Sequence, residues 1–338
     1  MTDLEKLCLR VTEAADCAVI TDDVNRRYFT AMKSSAGTLV VFPEKAYFII
    51  DFRYIENAKK TVTACEVILQ DKLYEQINSL IEKHGAKTVS VNADTCTLSE
   101  LIAYQQKLNA EVIADTKLAK IIREIRTVKS QEQIDKIIKA QRIAEKGFAH
   151  MLDFIKVGRT EKEIQLELDY YMLKNGAEAL SFDTIALSGS NTSLPHGVPS
   201  DKKVESGEFV LMDFGATYDG WHSDMTRTVC VGKPSDKMKS VYETVLTAQL
   251  SALDAVKAGM SGKALDKIAR DIITEAGYGD YFGHSLGHGV GAEIHESPYA
   301  SPSREDILPE NSIVTVEPGI YLEGKFGVRI EDFVVVTE

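Results

Sequence analysis

Two stretches of the chain share one pattern: an apolar strand that ends in an acid, a glycine-bearing turn, and a second acid beside another apolar strand. In the first stretch the acids are Asp213 and Asp224, eleven residues apart; in the second they are Glu317 and Glu331, fourteen apart. Each stretch predicts a β-hairpin. A degenerate internal duplication would place the two hairpins symmetrically, so that four carboxylates converge on one point.

Four buried carboxylates cannot all stay ionised without compensation, because each unpaired buried charge costs several kcal/mol. Arg227 and Arg329 are the nearby cations in the sequence. Two divalent metal ions would supply the missing charge, and bridging acids would hold them about 3.5 Å apart. Oxygen-rich ligation with one imidazole suits Mn²⁺, Co²⁺, Fe²⁺ or Zn²⁺.

The imidazole is expected from the glycine- and histidine-rich stretch 283–291. His288 has a glycine on each side, which lets the backbone and a substrate approach closely. His284 and His295 flank it in the sequence. A loop over 188–197, rich in glycine, serine and asparagine, is typical of the rim of a site.

A chain of 338 residues is long for a single core, which predicts two domains. Helical periodicity runs through 118–143, and the sequence at 126–130 could begin a new helix. We therefore expect domains at 1–126 and 127–338. The first alternates short apolar strands with helical runs, which predicts a small α/β domain without a phosphate-binding loop. Asp51 is expected to cap a helix there.

Composition excludes several classes of partner. The net charge of −12 is spread along the chain without a basic block, which argues against nucleic acid or an anionic membrane. No apolar tract is long enough to span a bilayer, and the charged start lacks a signal-peptide core. Five widely spaced cysteines favour free thiols in a reducing cytoplasm.

The acids and His288, in this order and spacing, resemble the ligand set of the pita-bread-fold metallopeptidases, the methionine aminopeptidase, aminopeptidase P and prolidase superfamily. The resemblance covers about residues 128–338 in detail. The preceding segment, with Asn25-Arg-Arg-Tyr-Phe-Thr and Asp51-Phe-Arg-Tyr-Ile, resembles the creatinase-type N-terminal domain. The implied fold is α/β (α+β): a small α/β domain followed by a pita-bread catalytic domain with an internal pseudo-twofold.

The resemblance also implies roles for the matched residues. Two divalent ions, most readily Mn²⁺, would be bound by Asp213, Asp224, His288, Glu317 and Glu331, with Asp224 and Glu331 bridging. The nucleophile would be a water acidified by both cations, with Glu317 as its general base, and the oxyanion would be stabilised by His196 and His295. A pocket for proline would be lined by His284, with Tyr321 and Arg329 orienting ligands or substrate. A purely structural role is the alternative for five of these residues: His196, His284, His295, Tyr321 and Arg329.

The implied reaction is hydrolysis of the bond between an N-terminal residue and a following proline, by a homodimer in which the N-terminal domain closes a neighbour's site. Proline's tertiary amide lacks an N–H, so we expect a dedicated pocket. An aminopeptidase acting on proline-containing peptides is the preferred reading and a dipeptidase (prolidase) the alternative. Arg304 is the candidate for holding a dipeptide's free carboxylate, unless Glu305 and Asp306 neutralise it. A methionine aminopeptidase and a non-catalytic binding protein are less favoured.

Overall fold

The structure is a computed structural model that describes residues 1–338. The chain divides into two compact units, Met1–Arg126 and Thr127–Glu338. No helix combines the length and the apolar character that crossing a bilayer requires.

The helices are α1 (Asp3–Arg10), α2 (Asp23–Thr30), α3 (Ile55–Thr61), α4 (Leu73–His84), α5 (Leu98–Lys107), α6 (Lys117–Thr127), α7 (Gln131–Phe154), α8 (Glu161–Lys174), α9 (Asp236–Ala255) and α10 (Gly262–Glu275). The strands are β1 (Cys17–Ile20), β2 (Thr38–Val41), β3 (Ala46–Ile50), β4 (Glu66–Leu69), β5 (Thr88–Val91), β6 (Glu111–Ile113), β7 (Ala179–Leu180), β8 (Ile185–Ser188), β9 (Glu208–Phe214), β10 (Ala216–Tyr218), β11 (Trp221–His222), β12 (Met225–Val231), β13 (Gly287–Gly289), β14 (Glu296–Ala300), β15 (Ile313–Val316), β16 (Gly319–Leu322), β17 (Phe326–Arg329) and β18 (Asp332–Val335).

The N-terminal unit is built on one mixed sheet with the strand order β4-β3-β2-β1-β5-β6. Its central strands are buried on both faces. Because alternate residues of a strand point to opposite sides of the sheet, they pack into two different apolar clusters. Ala18 and Ile20 pack into the cluster that contains α1 and α6, whereas Cys17 and Val19 pack into the cluster that contains α4. The predicted α/β character of this unit is confirmed.

One local prediction for this unit is wrong. The residue that caps α3 is Tyr54, not Asp51, and it caps without a side-chain hydrogen bond. Asp51 instead closes the preceding turn: its carboxylate accepts from the Arg53 backbone N–H at 2.9 Å and from the Arg53 guanidinium at 2.6 Å. The acid is satisfied before the helix begins.

The second unit consists of two halves, each with its own apolar cluster. One cluster joins α7 and α8 to β9, and the other joins α9 and α10 to β15 and β17. Corresponding backbone hydrogen bonds recur in the two halves: Gly158 N–H to Val204 O and Gly259 N–H to Leu308 O, both at 2.9 Å. The expected internal duplication is therefore present in the backbone.

The two acidic hairpins differ in detail. In the first, β9 and β12 pair without interruption from Glu208 opposite Val231 to Phe214 opposite Met225. In the second, β15 pairs with β18 and β16 pairs with β17 as two separate ladders. Glu317 lies between β15 and β16, and Glu331 lies between β17 and β18. Both acids are therefore outside the paired strands, and strand alternation does not force their side chains to opposite faces of a sheet.

Candidate metal centre

The acids of the two hairpins meet because a strand of one hairpin touches the other. Asp213 lies opposite Thr226 in the first hairpin, and Asp224 comes one residue before β12. The backbone N–H of Glu331 donates to Thr226 O at 3.1 Å, which joins the second hairpin to the first. The Thr226 hydroxyl also donates to Glu331 Oε2 at 2.7 Å.

His288 on β13 faces these acids. Its backbone N–H donates to Thr315 Oγ1 at 3.0 Å, and its Nδ1 lies 3.1 Å from Gly289 O, which leaves Nε2 directed at the carboxylates. Nε2 is 3.2 Å from Glu317 Oε1 and 3.6 Å from Asp224 Oδ2. One ligand atom each from Asp224, His288 and Glu331 all lie within 4.8 Å of one another.

The glycine before His288 is required by this approach. A Cβ at Gly287 would lie 1.9 Å from Thr315 O, closer than any side chain tolerates. The glycine-rich pattern thus serves close packing of β13 against β15, which holds the imidazole against the acids.

The carboxylates are buried without enough protein cations to balance them. Asp224 is 4% and Glu331 is 1% exposed. Burial first, and then the charges of neighbouring acids, raise the pKa of both groups well above the usual range. Asp213 Oδ1 and Glu331 Oε1 are buried and accept no hydrogen bond. Such orphaned carboxylate oxygens beside an imidazole fit divalent cations.

His288 and Glu317 behave as a pair. Burial acts to lower the pKa of His288, but the hydrogen bond and charge of Glu317 more than offset it and the pKa is raised. Burial likewise acts to raise the pKa of Glu317, and His288 reverses the direction. Within this pair the protein itself balances the charge of Glu317.

Arg329 links the acids to the neighbouring aromatic residues and is 3% exposed. Its Nη2 donates to Asp213 Oδ2 at 2.6 Å, its Nε to Thr226 Oγ1 at 3.1 Å and its Nη1 to the Tyr321 hydroxyl at 2.8 Å. Tyr321 in turn lies 2.9 Å from His284 Nε2. Arg329 therefore offsets the charge of Asp213 and holds its carboxylate in place.

The other two histidines lie at the open side. The His295 ring is edge-on to the His288 ring at 4.3 Å between centroids, and both His295 and His196 are exposed. Burial, the charge of His288 and, more weakly, that of His196 lower the pKa of His295. Burial also lowers the pKa of His284, with smaller contributions from the charges of Arg329 and His196. The structure thus gathers the five candidate ligands and surrounds them with the three other predicted histidines.

Two threonines of the site were missed from the sequence. The hydroxyl of Thr226 donates to Glu331, and that of Thr315 donates to Glu317 Oε1 at 3.2 Å. Thr226 is two residues after Asp224, and Thr315 is two residues before Glu317. Residues two apart in an extended strand point to the same face. That spacing, Asp224 with Thr226 and Thr315 with Glu317, is the pattern that could have revealed them.

Comparison with known proteins agrees with this geometry. The sequence pattern of metallopeptidase family M24 matches residues 135–338, and that of the creatinase/prolidase N-terminal domain matches 10–128. The chain is 40% identical to the Xaa-Pro dipeptidase of Pyrococcus furiosus over 99% of its own length and 95% of the relative's.

Solved structures agree over nearly the whole chain. The Xaa-Pro dipeptidase from Bacillus anthracis superposes with a TM-score of 0.95 at 41% identity, covering 99% of this chain and 94% of the other. The X-Pro aminopeptidase from Thermotoga maritima gives 0.89 at 39% identity, with 96% and 93% covered. These matches confirm the expected fold. The buried acids, the imidazole and the family match together identify the chain as a hydrolase that belongs to metallopeptidase family M24 and carries a creatinase/prolidase N-terminal domain.

Proposed function

We propose that this protein is a dinuclear metallopeptidase that removes the N-terminal residue from peptides whose second residue is proline. The observation that carries the proposal is the cluster of Asp224, His288 and Glu331 ligand atoms within 4.8 Å, with a buried, unsatisfied oxygen on Asp213 and another on Glu331. The relatives named above, which are Xaa-Pro dipeptidases and an X-Pro aminopeptidase, support the choice of bond.

The ions would be bound by Asp213, Asp224, His288, Glu317 and Glu331, and we propose Mn²⁺, with Co²⁺, Zn²⁺ or Fe²⁺ also compatible with the ligands. Two such ions would supply the charge that acidifies a water and polarises the scissile carbonyl. The fit rests on an oxygen-rich set with one imidazole. Membership of the family implies a divalent metal, and its identity is part of this proposal.

The chain's own residues would then move the proton and hold the substrate. Glu317, fixed by the Thr315 hydroxyl, would take the proton from the water and pass it to the proline nitrogen as the bond breaks. His295 and His196, both exposed beside the cluster, would donate to the developing oxyanion. His284, held by Tyr321, would line the pocket for the proline ring.

A second candidate, the Xaa-Pro dipeptidase, is favoured by one observation at Arg304. Its guanidinium stacks over the Tyr299 ring at 4.0 Å, while Glu305 pairs with Lys263 at 2.7 Å and Asp306 accepts from the Tyr299 backbone N–H at 3.1 Å. Both neighbouring acids are thus engaged elsewhere, so they do not neutralise Arg304. A cation of this kind is suited to a dipeptide's free carboxylate.

The turn that carries Arg304 also adjoins the histidine segment. Ser285, next to His284, donates to Ser301 Oγ at 3.0 Å. The arginine is therefore on a turn tied to the predicted proline pocket.

A peptide panel on the Mn²⁺-loaded protein tests these proposals. An aminopeptidase hydrolyses Xaa-Pro-Xaa peptides at least as well as Xaa-Pro, whereas strong turnover of the dipeptide alone overturns it in favour of the dipeptidase. In that case Arg304→Met should raise KM for the dipeptide, and the matched control Lys263→Met should not. If the protein retains metal but hydrolyses none of these peptides, both the aminopeptidase and the dipeptidase proposals are overturned, and a binding protein remains.

Three expectations from the sequence stay predictions. We propose a homodimer, which light scattering of the purified protein tests directly. We also propose a cytoplasmic location, with which the five free cysteines agree, and no nucleic-acid or membrane partner.

A further inference from the structure

Glu161 is a buried carboxylate that the proposed reaction does not use. It is the first residue of α8, and its side chain is 0% exposed. No lysine or arginine forms an ion pair with it, whereas Asp213 of the candidate metal centre pairs with Arg329. Burying a carboxylate without an ion-pair partner costs free energy of folding. The groups that compensate Glu161 therefore show which part of the fold it stabilises.

Six hydrogen bonds compensate it, all donated by one loop, residues 188–200. Oε1 accepts from the Ser188 backbone N–H at 2.7 Å, from the Ser188 hydroxyl at 3.1 Å and from Asn191 Nδ2 at 3.0 Å. Oε2 accepts from Asn191 Nδ2 at 3.2 Å, from the Ser200 backbone N–H at 3.0 Å and from the Ser200 hydroxyl at 2.6 Å. One side chain thus ties together the start, the first turn and the end of the loop.

Two further features adjoin the Glu161 carboxylate: the start of α8 and Lys202. The carboxylate belongs to the first turn of α8, where the helix dipole stabilises negative charge. Lys202 Nζ lies 3.1 Å from the Ser188 hydroxyl, and it also pairs with Glu208 at 2.7 Å. The loop is therefore held firmly at both ends.

The middle of the same loop touches the metal centre. Thr192 Oγ1 accepts from the Gly327 backbone N–H at 2.8 Å, and Pro195 O accepts from Arg329 Nη1 at 3.4 Å. A Cβ at Gly327 would lie 2.2 Å from Thr192 O, so this approach requires glycine. His196 follows Pro195 directly and is exposed.

We propose that Glu161 is a positioning residue, which fixes the loop 188–200 so that His196 reaches the substrate carbonyl. The proposal rests on the proposed function, in which His196 contacts the substrate. Glu161 itself touches neither substrate nor metal and acts through the loop.

Glu161→Gln is the informative substitution, because it keeps the shape of the side chain. Its amide nitrogen cannot accept, so the donors on one side, either Ser188 with Asn191 or Ser200 with Asn191, lose their acceptor and face another donor. The matched control is Glu163→Gln in the same first turn, where the exposed carboxylate accepts from the Thr160 backbone N–H at 2.8 Å and contacts no loop residue.

The kinetic test is a double-mutant cycle on an Xaa-Pro peptide with Mn²⁺ present. We expect Glu161→Gln to lower kcat by about tenfold or more at unchanged metal content, as for other residues that orient an active-site group, and Glu163→Gln to keep the wild-type kcat. In the His196→Ala background, Glu161→Gln should have little further effect, because both changes remove the same interaction. A wild-type kcat in Glu161→Gln, or effects that multiply in the double variant, would overturn the proposal.

A second readout does not depend on activity. Hydrogen exchange on the metal-free protein should show that the Ser188 or the Ser200 amide loses protection in Glu161→Gln and that both amides keep it in Glu163→Gln. Unchanged protection of both amides in Glu161→Gln would also overturn the proposal. Should Glu161→Gln fail to fold, Ser200→Ala removes one donor and should lower kcat in the same His196-dependent way. An unaffected kcat in Ser200→Ala counts against the proposal.

Failure of the proposed function is a different result. If the wild-type protein hydrolyses no Xaa-Pro peptide, the proposed function is wrong, whereas the hydrogen-exchange experiment still tests whether Glu161 fixes the loop.

Discussion

Arg329 Nη2 donates to Asp213 Oδ2 at 2.6 Å, while Oδ1 of the same carboxylate is buried and accepts no hydrogen bond. One oxygen of a candidate ligand is thus fixed by a guanidinium, and the other is left without a partner in the protein. The arrangement orients Asp213 and reduces the repulsion among the four acids.

Arg329→Lys should lower activity although it keeps the charge. A lysine ammonium cannot reach Asp213, Thr226 and Tyr321 together, because it lacks the planar fork of the guanidinium. We expect a loss of about 10–100-fold in kcat/KM or in metal affinity, in the range known for residues that orient metal ligands. Steady-state kinetics with metal titration measures both quantities. Wild-type values in Arg329→Lys would show that charge alone is what Arg329 provides.

The ligand assignments predict different outcomes for neighbouring substitutions. Asp224→Ala and Glu331→Ala should lose metal and activity together, because both side chains belong to the buried cluster. His295→Ala should retain metal and lose rate, since its exposed ring lies beside His288 and not among the acids. Metal content by elemental analysis, with turnover on the same samples, decides the matter. Loss of metal from His295→Ala would mean that His295 is a ligand.

Metal removal should destabilise the protein more strongly as the pH rises. Burial raises the pKa of Asp213, Asp224 and Glu331 in the folded state, so the metal-free folded protein binds more protons than the unfolded chain above about pH 4. Its free energy of unfolding therefore falls as the pH rises through this window. The raised pKa of His288 adds to the fall above about pH 6.5. The lowered pKa of Glu317 acts in the opposite direction, but only below about pH 4.5, where its unfolded carboxyl begins to bind a proton.

Thermal unfolding with EDTA and with saturating Mn²⁺, from about pH 5 to 8, measures this effect. Bound cations would compensate the ionised acids, so the difference in Tm between the two conditions should widen towards pH 8. A difference that narrows over the same range would contradict the assignment of these acids as buried and cation-dependent.

Lys129→Met should be strongly destabilising. Lys129 Nζ lies 2.6 Å from Glu296 Oε1, and the two side chains are 0% and 6% exposed. Removing one partner of a buried ion pair leaves an uncompensated charge and costs about 3–5 kcal/mol. The exposed pair Lys263 with Glu305 is the matched control, for which Lys263→Met should cost less than about 1 kcal/mol. Urea unfolding measures both, and equal effects would show that burial of the first pair matters little.

Much of this protein could be predicted because the relevant patterns are local. Strand alternation and helical periodicity depend on neighbouring residues, so the hairpin of β9 and β12 and the helical run through 118–143 were recognisable. Short elements such as α2 and β6 have too few residues for a periodic pattern to stand out. The prediction that Asp51 caps a helix was wrong because its carboxylate accepts from the Arg53 backbone N–H in the preceding turn instead of from the first turn of α3.

The chemistry of the candidate site was also visible in the sequence. Four acids in two related hairpins with a histidine between glycines indicated a metal centre, because burying those charges together requires a cation. The long-range polar contacts around the candidate site were not visible. Glu161 accepts from a loop that begins 27 residues later, and Lys129 and Glu296 are 167 residues apart. No local periodicity connects such positions.

The sequence by itself determined the kinds of element, the ligand types and the family, because these follow from side-chain chemistry and short-range spacing. Only the tertiary structure decided which carboxylate oxygen each donor satisfies: Arg329 on Asp213, Thr226 on Glu331, and the loop 188–200 on Glu161. The reason is that such pairings depend on the register in which distant strands and loops pack. A hydrogen bond forms over about 3 Å, and nothing in a linear pattern specifies distances on that scale.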